Sequence, residues 1–277
     1  MKIRKNILLL GLIFLNLSIS VFGQEDINLT LLHTSDVHSR IEPINQRGDS
    51  YFDQGGFVRR SAFLKEFRKN HKEILLFDCG DVSQGTPYYN MFRGEVEIKL
   101  MNEMGYDAMT IGNHEFDFGL DNMARLFKMA TFPIVCSNYD LQSTVLKDLV
   151  KPYIIIEKYG LRIGVFGLAP KPEGLIQAQK CIGVVYQNPV KVANQTARIL
   201  KKKGCDLIIC LSHLGIQYDE YLVGKTAGID VVLGGHSHTF MKTPKTYLNM
   251  EGRKVFVLHS GKSGIYVGQM DLKFKKK

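Results

Sequence analysis

Five short apolar runs in this chain each end in polar residues of the kinds that bind metal ions. These residues are Asp36 and His38 in "LTLLHTSDVH", Asp81 in "EILLFDCGD", Asn113, His114 and Asp117 in "AMTIGNHEFD", His213 in "LIICLSHLG", and His236 and His238 in "DVVLGGHSH". Apolar runs of this length that are rich in Val and Ile predict buried β-strands. Helical patterns lie between them, and strands that alternate with helices predict a layered mixed α/β fold.

The helical patterns and the strand candidates together give the expected layout. Helices are predicted over Phe57–Arg68, Glu95–Met104 and Val190–Lys203. Strands are predicted over Leu29–His33, Glu73–Asp78, Ala108–Ile111, Pro133–Cys136, Tyr153–Glu157, Arg162–Leu168, Asp206–Leu211, Asp230–Leu233, Val255–Leu258 and Tyr266–Leu272. The turn in "EKYGLR" predicts a hairpin, so some neighbouring strands should be antiparallel.

The polar residues after the apolar runs are expected to meet at one place. In open α/β sheets, ligands bind in the crevice at the carboxyl ends of the strands. Carboxylate, carboxamide and imidazole groups suit Zn, Mn, Fe, Ni or Co, and no thiolate is recruited. In "DVH" and "HSH" an extended backbone would point both ligand-type side chains the same way. Each motif alone is usually a turn, but five of them, each after its own strand, favour a metal site.

The ordered motifs resemble those of the calcineurin-like metallophosphoesterases. The forms "LLHTSDVHSRIEP", "GDVSQGTPYYN", "GNHEFDFG" and "GGHSHT", together with "GGFVRR" and "HSGKSGIYVGQMDLKF", are similar to the secreted 5′-nucleotidase family in particular. The resemblance runs from about Leu29 to Phe274. It implies a layered α-β-β-α sandwich with mixed sheets, a single metallophosphatase domain and two divalent metal ions.

The resemblance also implies a role for each motif residue. The first ion would be held by Asp36, His38 and His238 and the second by Asn113, His213 and His236, with Asp81 bridging both. His114, oriented by Asp117, would lie beside the substrate phosphate and stabilise charge or donate a proton. Glu115 is interpreted as a structural partner without chemistry, and His33 and His259 are also interpreted as structural. Hydrolysis would proceed by attack of a metal-bound water, without a covalent enzyme intermediate.

The first 23 residues predict a secretory signal peptide. Lys2, Arg4 and Lys5 precede an apolar stretch, and small or apolar residues lead to Gly23. The alternative is an uncleaved membrane anchor, but the apolar stretch is short for a full span and polar residues interrupt it. Cleavage would leave residues 24–277 as a secreted or periplasmic domain without a stable membrane anchor.

Charge and cysteine content narrow the function classes further. The formal net charge is +9, of which the three basic residues of the leader contribute +3. A modest positive charge suits an anionic substrate, and basic and aromatic residues do not interleave, so no nucleic acid polymer is expected as a partner. The five cysteines form no C-x-x-C pair and are interpreted as small buried hydrophobes. One disulfide is possible, and the sequence does not indicate which cysteines would form it.

The expected function is the hydrolysis of phosphate esters of nucleotides by a secreted two-metal enzyme. A 2′,3′-cyclic-nucleotide phosphodiesterase or a nucleotide-sugar hydrolase would use the same chemistry, and a non-catalytic metal-binding subunit of a split 5′-nucleotidase is the alternative from a different class. The family's usual member carries a second domain that grips the nucleotide, and this chain is expected to lack it. The mature chain has no Trp, and no aromatic pair in the sequence stands out as a base clamp. A separate chain resembling that second domain is therefore an expected partner.

Overall fold

The structure, a computed structural model, describes residues 26–275, so the predicted signal peptide lies outside the described residues. The helices are α1 Phe57–Asn70, α2 Pro87–Phe92, α3 Glu95–Met104, α4 Gly119–Met129, α5 Pro189–Lys202 and α6 Ile216–Gly224. The strands are β1 Ile27–Thr34, β2 Ile74–Asp78, β3 Ala108–Thr110, β4 Ile134–Val135, β5 Tyr139–Asp140, β6 Val150–Lys151, β7 Tyr153–Lys158, β8 Leu161–Leu168, β9 Val185–Tyr186, β10 Leu207–Ser212, β11 Val231–Gly234, β12 Lys245–Leu248, β13 Lys254–His259 and β14 Gly268–Phe274. Among these helices, none has the length and apolar character needed to cross a bilayer.

Most of the strands belong to two six-stranded sheets. The first sheet has the order β14-β1-β2-β3-β4-β6 and the second has the order β12-β13-β11-β10-β8-β7. Strands within each sheet are parallel, except that β14 pairs antiparallel with β1, β12 with β13 and β7 with β8. Strands β5 and β9 pair antiparallel in a separate ribbon. Parallel sheets with antiparallel edge strands confirm the predicted mixed α/β class.

Three apolar cores show the order of the layers. The first core joins α1, α3 and α4 to the first sheet and contains Met101 and Leu32. The central core lies between the sheets and contains Leu31 of β1 and Val165 of β8. The third joins α5 and α6 to the second sheet through residues such as Leu200. The side chains of Leu31 and Leu32 enter different cores because neighbouring residues of a strand point to opposite faces. The α-β-β-α sandwich expected from the sequence is confirmed.

The predicted elements are present, with small differences at their ends. The "EKYGLR" hairpin joins β7 to β8, and its two turn residues, Tyr159 and Gly160, have φ angles of 57° and 73°. Two consecutive positive φ angles are what a two-residue hairpin turn requires. The last strand begins at Gly268 rather than at Tyr266. Helices α2, α4 and α6 and the short strands β5, β6, β9 and β12 were not predicted. All of them except α4, which has 11 residues, are short enough to carry little periodic signal.

The five cysteines, all within the described residues, are free thiols. Cys79, Cys136 and Cys210 are buried, as small hydrophobic residues should be. Cys181 and Cys205 are only half-buried. The interpretation as buried hydrophobes therefore holds for three of the five.

Candidate metal centre

The carboxyl ends of five strands from both sheets meet at one edge of the sandwich. Strands β1, β2 and β3 of the first sheet and β10 and β11 of the second lead into the five polar motifs. His213, after β10, places its Nε2 atom 3.0 Å from Oδ2 of Asp81, which follows β2. The backbone N–H of His236, after β11, donates to Asp36 Oδ1 at 3.0 Å. The crevice predicted from the sequence therefore lies between two sheets rather than along one.

The loops that carry the acidic and histidine residues turn sharply. Positive φ angles occur at Asp36 (52°), His38 (49°), Asp81 (55°), His236 (72°) and His238 (54°). Such angles are uncommon for residues with a side chain and cluster at functional sites. The backbone of "DVH" and "HSH" is therefore not extended, so the condition under which an extended backbone would align the two side chains is not met. The strands end before these motifs, at Thr34 and Gly234, and the turns that follow bring the side chains together instead.

Six of the predicted ligands form two adjoining clusters. The first contains Asp36, His38 and His238, the second contains Asp81, His213 and His236, and the ligand-type atoms of each lie within 4.8 Å of one another. In the first cluster, His238 Nε2 is 3.6 Å from Asp36 Oδ1 and 3.0 Å from His38 Nε2. The clusters touch, because His213 Nε2 is also 3.9 Å from Asp36 Oδ1. The seventh predicted ligand, Asn113, is buried at the end of the segment that follows β3.

Three buried polar atoms in this crevice make no hydrogen bond within the described part of the chain. They are His38 Nδ1, Asn113 Oδ1 and His213 Nε2. His213 Nδ1 lies 2.6 Å from the carbonyl oxygen of Cys79 and donates to it, so in the neutral ring Nε2 presents its lone pair towards the Asp81 carboxylate. Buried acceptors that face each other without a donor are unfavourable unless a cation lies between them. The residues of the crevice therefore fit a divalent metal ion.

The electrostatics of the crevice also favour positive charge. Burial lowers the pKa of His38 to about 3, so its neutral ring has a lone pair to share. Burial also opposes ionisation of His213, but Asp81 and Asp36 together raise the pKa of His213 to about 10. Burial raises the pKa of Asp36, and the neighbouring Asp81 raises it further. The two buried carboxylates thus require either a proton on His213 or a metal ion.

His114 and Asp117 lie beside the clusters and form a pair of their own. His114 Nδ1 is 3.0 Å from Asp117 Oδ2, and the two side chains are 26% and 37% exposed. The ring of His114 packs edge-on against that of His38, with 5.5 Å between the centroids. Burial lowers the pKa of His114, but the Asp117 hydrogen bond and the nearby Asp81 outweigh it, so the pKa is raised. The pair is thus a partly open, charge-stabilised imidazole next to the first cluster.

Glu115, between these polar residues, is buried and faces the backbone. Its Oε2 atom accepts from the backbone N–H groups of Asp81 at 3.0 Å and Gly112 at 2.6 Å, and its Oε1 atom accepts from that of Val82 at 2.9 Å. Three hydrogen bonds from two different loops fix the β2 loop against the β3 loop. This geometry agrees with the interpretation of Glu115 as a structural partner of Asp81 rather than as a metal ligand.

We expect Glu115→Gln to lower the free energy of unfolding by about 1–3 kcal/mol. The carboxamide would turn an N–H group towards at least one backbone N–H donor, which leaves a buried donor unpaired. Urea unfolding followed by circular dichroism measures the loss. The control is Glu66→Gln, because Glu66 is exposed and pairs with Lys69 at the surface, so its loss should stay within about 0.5 kcal/mol. Equal effects of the two substitutions would contradict the role of Glu115.

A buried acid–histidine pair supports the second sheet behind the clusters. His259 Nε2 is 2.8 Å from Asp219 Oδ2, and both side chains are buried. A Cβ atom on Gly234 would lie 2.1 Å from His259 Nε2, so only glycine fits there, two residues before His236. Asp219 also accepts from the hydroxyl of Ser212, which precedes His213. Sequence reasoning missed Asp219, because it lies on the unpredicted helix α6 and matches no motif.

Comparison with known families identifies the family to which this fold belongs. The family model for calcineurin-like phosphoesterases matches residues 29–240. This span includes both clusters and the His114–Asp117 pair. The chain belongs to the calcineurin-like phosphoesterase family. Membership supports a metal-dependent phosphoester hydrolase, which is the class predicted from the sequence.

Relatives within the calcineurin-like phosphoesterases include several 5′-nucleotidases. A snake venom 5′-nucleotidase of Gloydius brevicauda is 33% identical over 98% of this chain and 49% of its own length. The crystal structure of a 5′-nucleotidase precursor from Thermus thermophilus superposes with a TM-score of 0.84 at 33% identity, over 90% of this chain and 52% of that one. The structure of the NAD nucleotidase of Haemophilus influenzae superposes with a TM-score of 0.81 at 29% identity, over 91% of this chain and 54% of that one. The chain thus spans about half the length of the curated relatives it matches.

Proposed function

We propose that this chain is the phosphohydrolase domain of a 5′-nucleotidase-type enzyme and hydrolyses phosphate esters of nucleotides with two divalent metal ions. One observation carries the proposal: two adjoining clusters of metal-ligand type lie beside an oriented histidine that belongs to neither. The clusters would bind the ions and the histidine would act on the substrate. The names of the relatives support nucleotides as the substrate class.

The proposed ligands are those predicted from the sequence. Asp36, His38 and His238 would hold the first ion, Asn113, His213 and His236 would hold the second, and Asp81 would be shared by both. Three observations support this assignment: the two clusters, the unpaired Asn113 Oδ1 and His213 Nε2 atoms, and the 3.0 Å approach of His213 to Asp81. Zn, Mn, Fe, Ni or Co would suit this set of nitrogen and oxygen ligands.

The protein's own residues prepare the reaction in three ways. The Cys79 carbonyl holds the His213 ring, and the backbone N–H of His114 donates to Asp81 Oδ1 at 2.8 Å, so the bridging carboxylate has a fixed orientation. Asp117 holds Nδ1 of His114 and leaves Nε2 free to donate to a phosphoryl or leaving-group oxygen. When bound, two divalent ions would neutralise the phosphoryl oxygens and make a water a stronger nucleophile.

The proposal includes a location and a partner. The predicted leader would direct the domain to a secreted or periplasmic site. A separate chain that resembles the second domain of the 5′-nucleotidases would add contacts to the nucleotide. These contacts would raise selectivity, because the phosphate itself is common to every substrate.

The purified chain is expected to hydrolyse an aryl phosphate and nucleoside 5′-monophosphates when Mn²⁺ is present. Release of inorganic phosphate measures both reactions. A 2′,3′-cyclic nucleotide and a nucleotide sugar test the other substrate classes, and because their cleavage yields phosphate monoesters, chromatography of the products measures it. A chain that binds metal ions but hydrolyses none of these substrates would instead be a non-catalytic subunit. The oriented His114–Asp117 pair favours the enzyme, since a subunit that only binds metal has no use for it.

A further inference from the structure

A cleft of about 870 Å³ opens next to the second cluster. Residues around it include Leu214, Gly215, Tyr218, Tyr221, His236 and Ser237. His236 is a proposed metal ligand, so the wall of the cleft is continuous with the site that would hold the phosphate. The volume lies within the range of about 300–1,000 Å³ typical of small-molecule sites.

An aromatic pair on helix α6 forms one side of this cleft. The rings of Tyr218 and Tyr221 are 5.6 Å apart and meet edge to face at 73°. Tyr221 is 53% exposed, whereas Tyr218 is half-buried. The two residues are three apart on a helix, so their side chains lie on the same face. An exposed ring braced by a second ring offers a flat apolar surface to a ligand.

Helix α6 is joined to both ligand-bearing loops of the second sheet. Its first residue, Ile216, follows His213 by three positions, and its backbone N–H donates to Ser237 Oγ at 3.1 Å. Ser237 lies between His236 and His238. A Cβ atom on Gly215, the N-cap of the helix, would lie 3.6 Å from Cδ2 of the His236 ring. The aromatic pair is therefore held at a fixed distance from the proposed metal ligands.

We propose that Tyr221, braced by Tyr218, binds the leaving group of the substrate by stacking against a planar ring, such as the base of a nucleotide. The proposal rests on the phosphohydrolase function above and places a leaving-group subsite within this domain. Stacking needs only the face of a ring, so the subsite should accept different bases with similar affinity. Sequence patterns alone do not reveal this pair, because α6 was not predicted and the two residues match no motif.

The kinetic test compares adenosine 5′-monophosphate with ribose 5-phosphate, which has the same phosphate and sugar but no base. Stacking of one base is worth about 5- to 150-fold. Tyr221→Ala should lower kcat/KM for the nucleotide by a factor in this range and leave kcat/KM for ribose 5-phosphate unchanged. Tyr221→Phe keeps the ring and should behave as the wild type.

A matched control separates stacking from a general effect of losing an exposed ring. Phe63 is 43% exposed and lines a different cavity of about 450 Å³ that contains none of the proposed ligands. Phe63→Ala should leave the ratio of the two kcat/KM values unchanged. An unchanged ratio in Tyr221→Ala, or an equal fall in Phe63→Ala, would overturn the proposal.

A binding experiment makes the proposal independent of turnover. Adenosine has the base but no phosphate, and saturation-transfer NMR on the full chain detects its binding directly. The wild type and Tyr221→Phe should bind adenosine, and Tyr221→Ala should bind it about 5- to 150-fold more weakly. If adenosine binds in this pattern but no phosphate ester is hydrolysed, the proposed function fails and the subsite stands. If the wild type hydrolyses nucleotides but binds adenosine no better than Tyr221→Ala does, the subsite fails and the proposed function stands.

Discussion

Replacing Asp81 with asparagine is expected to lower kcat/KM about a thousandfold, since a bound metal ion supplies several kcal/mol of transition-state stabilisation. Asp81 is the one carboxylate that the proposal places between both ions. Its Oδ2 atom lies 3.0 Å from His213 Nε2 and its Oδ1 atom accepts from the backbone N–H of His114. Asparagine has nearly the same shape and keeps the second contact, but it brings no negative charge to the crevice. The substitution therefore tests charge rather than packing.

Two measurements accompany the assay of Asp81→Asn. Metal analysis of the purified variant should show less bound metal than the wild type, and exhaustive chelation of the wild type should abolish hydrolysis until Mn²⁺ is restored. Asp148→Asn is the control, because Asp148 is an exposed carboxylate outside both clusters, and it should keep full activity. Wild-type protein that remained fully active after chelation would contradict the two-metal proposal.

The sequence predicted which residues would gather at the site because each follows an apolar strand. Carboxyl ends of parallel strands meet at one edge, so Asp36, Asp81 and His213 could be placed together without knowledge of the loops. The layered fold followed from the same alternation of strands and helices. What the sequence could not show was that the strands divide between two sheets. That division depends on which strands pair, and pairing is a long-range property of the chain.

The local backbone was the least predictable part of the site. An alternating "DVH" motif suggests an extended segment, yet Asp36 and His38 have left-handed backbones. These angles are unfavourable in isolation and are held here by tertiary hydrogen bonds, such as those from the backbone N–H of Asp36 to the Gly80 carbonyl and from that of Ser263 to the Asp36 carbonyl. The neighbours come from distant parts of the chain, so short-range patterns cannot report them.

Residues that support the proposed metal ligands are even harder to recognise from the sequence than the backbone conformation of the site. Asp219 and His259 pair behind the ligand loops, although they are 40 positions apart. His259 was predicted to be structural, which agrees with its place behind Gly234, and Asp219 was not singled out at all. A supporting residue is defined by what it contacts, and one sequence gives no contacts. The crevice could be predicted residue by residue, but the packing around it could not.

His114→Ala is expected to lower kcat about 10²–10⁴-fold, the usual effect of losing one positioned acid or charge stabiliser. The structure separates this residue from the ligands, because its side chain belongs to neither cluster and its Nδ1 atom is bonded to Asp117. The backbone N–H of His114 still orients Asp81 in the alanine variant. We therefore expect both ions to remain bound, and metal analysis beside the kinetics measures this directly.

The Asp117→Asn variant tests whether the pair acts as a unit. The ring of His114 would remain, but its Nδ1–H group would face a neutral carboxamide, and the raised pKa that favours the charged ring would fall. Loss of such an orienting carboxylate typically costs about 10–100-fold, so Asp117→Asn should lie between the wild type and His114→Ala. The double variant should be no slower than His114→Ala alone, because Asp117 acts only through the ring. Loss of the ions from His114→Ala would make His114 a ligand, and additive losses in the double variant would give Asp117 a role of its own.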